Sequence, residues 1–371
     1  MPTHLFSRFS AQARGVLALA LTLFCSIALV HCVGDVADVT AQDGGADGNL
    51  PDTTQPVADG SSGGVDATTA DTSPPDDAAK NDGAAGDAGS DAPPGPRCSP
   101  DGGWGTPQVV PELNDTHNSG GATLSADELT VYFTSDRLRD GGTGGFAGYD
   151  VFTGTRADPS AAFANIRRVP VSDPSGDVPD LYASQTSNNL KLYFDTYRPG
   201  RGVWVSTRAS TVSDYTTAAA VTIINNGGGE NGTPYVLPDE SAIYFTSSRG
   251  GAGFDVYRAP ITGGVVGASA LVGGGVSSAA AELNVAVSPD DLTIYFGSAR
   301  DNTGYDMDIW VATRPNTAAQ FGNLTKLPAN VNDRTGGATA NYPSFVTADG
   351  CVLYYSRQIS GVTQIWRVKR N

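Results

Sequence analysis

The sequence predicts an all-β protein in which residues 98–371 form a five-bladed β-propeller closed by its own N-terminal strand. The first observation behind this prediction is a strand-like stretch that occurs five times: "VYFTSDR" (131–137), "LYFDTYR" (192–198), "IYFTSSR" (243–249), "IYFGSAR" (294–300) and "LYYSR" (353–357). The second is its spacing, because the aromatic pairs at its centre lie 61, 51, 51 and 59 residues apart. Each interval can hold a four-stranded sheet with its loops, which is one propeller blade.

Each predicted blade is a meander of four strands, here called A to D in chain order. The recurring stretch is strand B, and its consecutive apolar residues are typical of a strand covered on both faces. Turns rich in Asp, Asn and Gly separate it from strand A. These turns are "LSADEL" (124–129), "SQTSNNL" (184–190), "LPDESA" (237–242), "SPDDL" (288–292) and "TADGC" (347–351). Strand C follows as "YDVFTGTR" (149–156), "GVWVSTR" (202–208), "FDVYRAP" (254–260), "MDIWVATR" (307–314) and "TQIWRVKR" (363–370).

The candidates for strand D decide how the ring closes. Four of them follow a strand C, in residues 163–171, 215–224, 265–272 and 321–329. The fifth, residues 103–113, precedes blade 1, whereas the chain ends after strand C of blade 5. We therefore expect the N-terminal strand to complete blade 5, which removes the free edge. This closure brings Cys98 and Cys351 to the same end of the blade, and we predict a disulfide between them.

The turn, the "LYFxSxR" strand and the Asp-aromatic strand C, taken in series, resemble the TolB-type, WD-like propeller repeats of bacterial envelope proteins. The resemblance covers essentially all of residues 98–371 and implies a propeller that binds a protein partner. Two repeats depart from the pattern, since Gly202 and Gln364 stand where the other repeats have an aspartate. Those aspartates are Asp150, Asp255 and Asp308.

Two further segments precede the propeller. Residues 1–32 contain two arginines, no acidic residue and the apolar run "GVLALALTLFCSIALV", which predicts an export signal. The run ends in "LVHC", which resembles the lipobox of bacterial lipoproteins, so Cys32 is the predicted lipidation site. An uncleaved anchor and an ordinary cleaved signal are the alternatives. Residues 33–97 contain 13 Asp, one Lys, one Arg and no aromatic residue, which predicts a disordered acidic linker.

Charge and residue types exclude several functions. The net charge is −16 and no run of basic residues occurs, which argues against nucleic-acid binding. His117 is the only histidine beyond residue 32, and no HExxH, GxSxG or spaced Cys/His set is present. We therefore expect no metal, no cofactor and no Ser-His-Asp catalysis. "GGGENG" (227–232) matches GxGxxG but leads into a strand, so a loop between blades is favoured over a phosphate site.

Candidate functional residues lie in the D-to-A and B-to-C loops, which share one end of the propeller, here called the upper face. Loops are polar whatever they do, so plain solvated loops are the alternative. The candidate residues for ligand or partner binding are Asp115, His117, Asp180, Glu230, Glu282, Asp333 and Asn341. The arginines that end strand B are predicted to pair with aspartates or loop carbonyls within the fold. They are Arg137, Arg198, Arg249, Arg300 and Arg357.

The expected function is that of an exported, lipid-anchored platform for binding or protein interaction in the cell envelope. We expect it to be a monomer held at the outer membrane by its lipid, facing the periplasm or the cell surface. Its expected partner is an envelope protein or a glycan. The first alternative is a carbohydrate-active, glycosidase-like enzyme that uses two carboxylates of the propeller funnel, and the second is a purely structural lipoprotein.

Overall fold

A computed structural model of the protein confirms the predicted five-bladed β-propeller. It describes residues 97–99, 101–137, 148–171, 178–198, 201–251, 253–302 and 306–371. The predicted export signal, Cys32 and the linker up to residue 96 lie outside the described residues, so these remain predictions. Within the described residues, no helix has the length and apolar character that crossing a membrane requires.

Five antiparallel sheets form the blades. The first strand, β1 (Gln108–Val109), belongs to blade 5. Blade 1 contains β2 (Ser119–Leu124), β3 (Thr130–Ser135), β4 (Asp150–Thr155) and β5 (Ala164–Arg168). Blade 2 contains β6 (Asp180–Gln185), β7 (Lys191–Thr196), β8 (Gly202–Thr207) and β9 (Ala219–Ala220). Blade 3 contains β10 (Asn231–Val236), β11 (Ala242–Ser247), β12 (Asp255–Thr262), β13 (Val265–Val266) and β14 (Ala270–Leu271).

Blade 4 contains β15 (Glu282–Val287), β16 (Thr293–Ser298), β17 (Asp308–Thr313) and β18 (Gly322–Lys326). Blade 5 contains β19 (Ala338–Val346), β20 (Val352–Ile359) and β21 (Val362–Lys369), together with β1. The helices are short: α1 (Thr222–Asn225) and the 3₁₀ turns Pro111–Leu113 and Thr335–Gly337. Blade 3 differs from the prediction in one detail, because its region 265–272 forms a small hairpin strand, β13, before the true strand D, β14.

The five inner strands contact one another in a closed circle, and the sheets stack around it through their buried faces. Strand B is buried along nearly all of its length in every blade, as its unbroken apolar sequence predicts, and strand A is buried to a similar extent. Fully buried aromatic side chains from these strands fill the spaces between blades, among them Phe133, Phe194, Phe245 and Phe296. The aromatic pair that repeats in the sequence therefore supplies the inter-blade core, because neighbouring sheets bury both faces of each strand B.

The ring closes as predicted. β1 pairs antiparallel with β21 through Gln108 and Val109, and a further bridge joins Trp104 to Arg370. Cys98 and Cys351 form a disulfide with their Cα atoms 5.6 Å apart. The first described residues are thus attached to the last blade both by strand pairing and by a covalent bond, which protects the edge of β21 from other strands.

A β-bulge occurs at the same place in the inner strands of blades 1 to 4. The bulge residues have φ between 46° and 62°. They are Gly121, Tyr182, Thr233 and Asn284. Their spacing repeats that of the strand B pairs, and the corresponding residue of blade 5 is Pro343, whose ring requires a negative φ. The bulges bend the inner strands where they converge on the axis.

A second repeated device holds the opposite end of the blades, here called the lower face. In four blades an arginine at the end of strand C donates from its Nε to a carbonyl of the A-to-B turn, over 2.7 to 3.2 Å. Each of these guanidinium groups also stacks on an aromatic ring next to strand D, 4.3 to 4.6 Å from the ring centroid. These lower arginines are Arg156, Arg208, Arg314 and Arg370. They join the outer and inner parts of each sheet.

Candidate partner-binding face

The upper face is built by the loops that enter strand A and by those that join strands B and C. One polar residue stands at or near the start of each inner strand, as the first residue of the strand in blades 1 to 4 and the fourth in blade 5, and these residues follow the repeat intervals along the chain. They are Ser119, Asp180, Asn231, Glu282 and Asn341. All five are buried. The sequence therefore brings one polar side chain per blade to the same level of the ring.

The five arginines predicted to pair within the fold do so; they are called the upper arginines. Each donates from Nη2 to a backbone carbonyl of the chain segment that arrives from the preceding blade, over 2.8 to 2.9 Å. Each also lies over an aromatic ring of its own blade. The upper arginines thus fix the entry of every inner strand, which is a structural role.

Three of the predicted site residues belong to this internal framework. Asp180 accepts from Arg198 at 2.9 Å and is fully buried. Glu282 accepts from Arg300 at 3.2 Å and also from Ser278 and Ser298, so its carboxylate is enclosed by donors.

Asn341 occupies the place of Glu282 in blade 5 and is also fully buried, without a hydrogen-bond partner for its side chain among the described residues. All three side chains lie beneath the surface of the upper face.

Three other predicted residues are at least partly exposed, and each lies beside an arginine. Asp115 is 41% exposed and lies 3.7 Å from Arg137. Asp333 is 31% exposed and accepts from Arg357 at 2.7 Å. The backbone N–H of Thr335 and the Arg357 guanidinium lower the pKa of Asp333 from 3.8 to about 2. The Asp333 carboxylate is therefore ionised and fixed in position at neutral pH.

Glu230 is the third exposed acid, 40% exposed and 3.7 Å from Arg201. Arg201 is itself nearly buried between the rings of Tyr197 and Phe254. On its other side it binds Asp195 at 2.7 Å. Asp195 is fully buried, and burial raises its pKa, an effect that Arg201 partly offsets. The strand B motif gave no indication of this pair, because Asp195 is the only acidic residue at its position in the five repeats.

His117, the last predicted residue, lies beside Asp115. Its backbone N–H donates to Asp115 Oδ1 at 2.8 Å, and its Nδ1 lies 3.1 Å from the same oxygen. The neighbouring Asn118 binds Asp136 through both its backbone and its side chain. This corner of the upper face therefore presents an ordered Asp-His pair to solvent.

Asp255 is an upper-face residue that the sequence did not single out as a site. It begins strand C of blade 3, where the corresponding Asp150 binds Arg168 and Asp308 binds Lys326. Asp255 has no ion pair or hydrogen bond of this kind among the described residues. Burial and the charge of Glu282 raise its pKa. The signal that could have identified it is the lack of a basic residue in strand D of blade 3.

The centre of the ring is almost filled. A space of about 10 Å³ remains there, lined by the bulge residues Gly121, Tyr182, Thr233 and Asn284. Such a space holds no more than about one water molecule. Among the described residues, no group of three or more His, Cys, Asp and Glu side chains is arranged to hold a metal ion. The axis of the propeller offers no room for a sugar ring at this level.

No protein-family model matches the sequence, and no curated protein is significantly similar to it. Among solved structures, an α-L-arabinofuranosidase from Podospora anserina in complex with cellotriose aligns at 13% identity and a TM-score of 0.46, over 73% of this chain and 97% of that chain. TolB from Acinetobacter baumannii aligns at 12% identity and a TM-score of 0.39, over 70% of this chain and 56% of that chain. A periplasmic gluconolactonase from Pseudomonas aeruginosa aligns at 15% identity and a TM-score of 0.36, over 64% and 65% of the two chains. The similar structures thus include TolB as well as glycoside hydrolases, and similarities this distant assign the chain to neither.

Proposed function

We propose that this chain is a binding platform of the cell envelope whose upper face recognises a protein partner through fixed carboxylates. The observation that carries the proposal is the set of exposed acids Asp115, Glu230 and Asp333, each beside an arginine that is at most 16% exposed. Side chains held in this way lose little conformational entropy when a partner binds. The complementary partner surface would carry Lys, Arg or other hydrogen-bond donors.

The proposal includes export and lipid anchoring, for which the sequence of residues 1–32 is the support. A lipid on Cys32 would hold the propeller at the outer membrane, with the acidic linker between lipid and propeller. Cys32→Ala tests this part. We expect the variant to lose membrane association and the mass of the lipid, and an unchanged mature mass and membrane fraction would contradict it.

The platform is tested by affinity purification from solubilised envelope with the wild-type chain and with the triple variant Asp115→Asn, Glu230→Gln, Asp333→Asn. We expect one envelope protein to co-purify with the wild type and to be lost or strongly reduced with the triple variant. The matched control is Asp214→Asn, which removes an exposed acid of blade 2 that forms no ion pair with any arginine in the described part of the chain. Equal recovery of the same protein with the triple variant would contradict the proposal.

A specific observation favours the second candidate, a carbohydrate-active enzyme. Asp255 lies close enough to Glu282 for that charge to contribute to the raised pKa of Asp255, and glycoside hydrolysis uses two neighbouring carboxyl groups. Glu282 is fully buried, however, and its oxygens are bound by Ser278, Ser298 and Arg300, which favours the platform. Turnover on a polysaccharide panel that is lost in Asp255→Asn would establish the enzyme instead.

A further inference from the structure

The lower face shows a regular pattern at the boundaries between blades. In the A-to-B turns of blades 2, 3 and 4, one residue has a positive φ, and its side chain binds a side chain of the preceding blade. The three contacts are Asn189 with Tyr132 at 2.9 Å, Glu240 with Lys191 at 2.5 Å and Asp291 with Arg258 at 2.9 Å. Each of these three boundaries therefore receives a polar partner from the next blade, whereas the turn of blade 5 has Gly350 at this position.

The boundary between blades 5 and 1 breaks this pattern. Its turn residue is Glu128, which also has a positive φ. Arg367 of β21 corresponds to Arg258 of blade 3, because Arg367 pairs with Tyr354 of strand B and Arg258 pairs with the equivalent Tyr244. Arg367 does not reach Glu128. The carboxylate is bound instead by Arg97 at 2.5 Å and by Arg156 at 3.3 Å. Arg367 consequently has no ion pair or hydrogen bond from its guanidinium among the described residues, and its Nε is buried.

A cavity of about 110 Å³ lies at this boundary, here called the seam cavity. Its lining includes Arg97, Glu128, Arg367, Lys369 and Arg370. The charges of Arg97 and Arg156 are compensated by those of Glu128 and Asp349, since Arg97 also binds Asp349 at 2.6 Å.

Arg370 is also engaged, because it binds Tyr295, Gly350 and Gly102 and stacks on Trp104. Two cations of the seam cavity remain without a counter-ion among the described residues, the Arg367 guanidinium and the Lys369 ammonium group. A partly buried guanidinium without a partner is costly, whereas one that meets an oxyanion forms two parallel, charge-assisted hydrogen bonds.

We propose that the seam cavity is a binding site for a doubly charged oxyanion of the phosphate class, such as a phosphate monoester. Two uncompensated cations match a dianion rather than a single carboxylate. Arg367 supplies the planar pair of donors and Lys369 a point charge at the open side of the cavity. The volume is several times that of one water molecule, so a tetrahedral oxyanion can enter. The site lies on the lower face, on the opposite side of the propeller from the proposed partner-binding surface.

The test is isothermal titration calorimetry of the full chain with glycerol 2-phosphate, at constant ionic strength in a chloride buffer. We expect saturable binding to one site, at least about tenfold weaker in Arg367→Gln because a charge-assisted pair is lost, and several-fold weaker in Lys369→Gln. The matched control is Arg167→Gln, which removes an exposed arginine of β5 that does not line the seam cavity and which should leave the affinity unchanged.

Sodium sulfate and sodium acetate separate the charge classes. Sulfate should compete with glycerol 2-phosphate, and acetate should compete much more weakly. Lowering the pH from about 7.5 to about 5.5 should weaken the binding of the phosphate ester, whose second pKa lies near 6, but not that of sulfate.

The proposal is overturned if neither dianion binds, if acetate competes as well as sulfate, or if Arg367→Gln binds like the wild type. Circular dichroism checks that Arg367→Gln is folded. Should it not fold, Lys369→Gln decides the question, because Lys369 is exposed and its replacement leaves the fold intact; an unchanged affinity in that variant overturns the proposal.

Discussion

Two aspartates on the upper face have pKa values that are shifted in opposite directions. Asp333 is held ionised by Thr335 and Arg357, whereas Asp255 is pushed towards its neutral form by burial and by Glu282. Opposite dependences of stability on pH follow from the two aspartates, and both can be measured on the intact protein.

Asp333→Asn should destabilise the protein at neutral pH. Its folded pKa of about 2 lies below the usual 3.8, so its contribution is present above about pH 4 and is lost as the pH falls towards 2. Because the side chain is partly exposed, we expect a decrease in Tm of roughly 1–3 °C at pH 7. Thermal unfolding followed across this pH range measures it, with Asp214→Asn as control. A difference from wild type that stayed constant down to pH 2 would show that the charge is not its cause.

Asp255→Asn should have the opposite effect. The folded pKa of Asp255 lies above 3.8, so ionisation of the folded protein costs stability as the pH rises above that value. Removing the charge should raise Tm by roughly 2 °C at pH 7, and the gain should vanish near pH 4. Thermal unfolding at both pH values is the measurement. A decrease in Tm at pH 7 would mean that Asp255 has a stabilising partner instead.

At the level of the elements, the recurrence in the sequence predicted the strands but not most of the contacts between them. The strand B stretch and the Asp turn were visible because they occur together, in the same order, in each of the five repeats. The bulges were not predicted, since Tyr182, Thr233 and Asn284 share a backbone conformation but no residue type. The lower arginines repeat in the sequence, but their partners are carbonyl groups of the A-to-B turns and aromatic side chains next to strand D. The periodicity of the sequence does not specify these contacts.

The candidate site was predictable in position but not in exposure. All seven predicted residues lie at the upper end of the blades. The sequence could not show that Glu282 is enclosed while Glu230 reaches solvent, because both precede or begin an inner strand. Glu282 is the first residue of its strand, whereas Glu230 directly precedes the first residue of β10. This difference of one position turns the Glu282 side chain towards the neighbouring blade and leaves Glu230 in the loop.

The pair formed by Arg300 and Glu282 tests the role of the upper arginines as elements of the ring. Arg300→Met leaves Glu282 buried without its cation, which should lower the free energy of unfolding by about 3 kcal/mol or more. The double variant with Glu282→Gln should recover much of this loss. Urea unfolding of both single variants and the double variant gives the coupling energy. Additive effects of the two substitutions would show that the ion pair does not stabilise the entry of β15.

At the scale of the whole molecule, closure was the strongest prediction, because the count of D strands left only one way to complete blade 5. The disulfide followed from that closure, and the structure has it between Cys98 and Cys351. The seam cavity was not predictable. It depends on Arg97 taking the carboxylate of Glu128, a contact between residues that no repeat relates.

Removing the disulfide tests how much the closure depends on it. The bond joins residues 253 positions apart, and the loop-entropy model gives a stabilisation on the order of 5 kcal/mol for a loop of this length. Cys98→Ser with Cys351→Ser should therefore lower Tm by on the order of 10 °C. A reductant should lower the wild-type Tm in the same way and leave the double variant unchanged. Equal Tm values for wild type and double variant would show that strand pairing alone closes the ring.

The position of Cys98 also determines how the propeller responds to mechanical load. A pull on the chain ahead of residue 98 meets the ion pairs of Arg97 and then the sulfur–sulfur bond, which is the first covalent attachment and acts on Cys351, directly before β20 in the interior of blade 5. The two-residue strand β1 lies behind this attachment and bears little of the force, although by itself it would peel away readily. Reduction would redirect the same load onto the hydrogen bonds that residues 99–109 make with the end of the chain and with β21, and the ring would open along this edge.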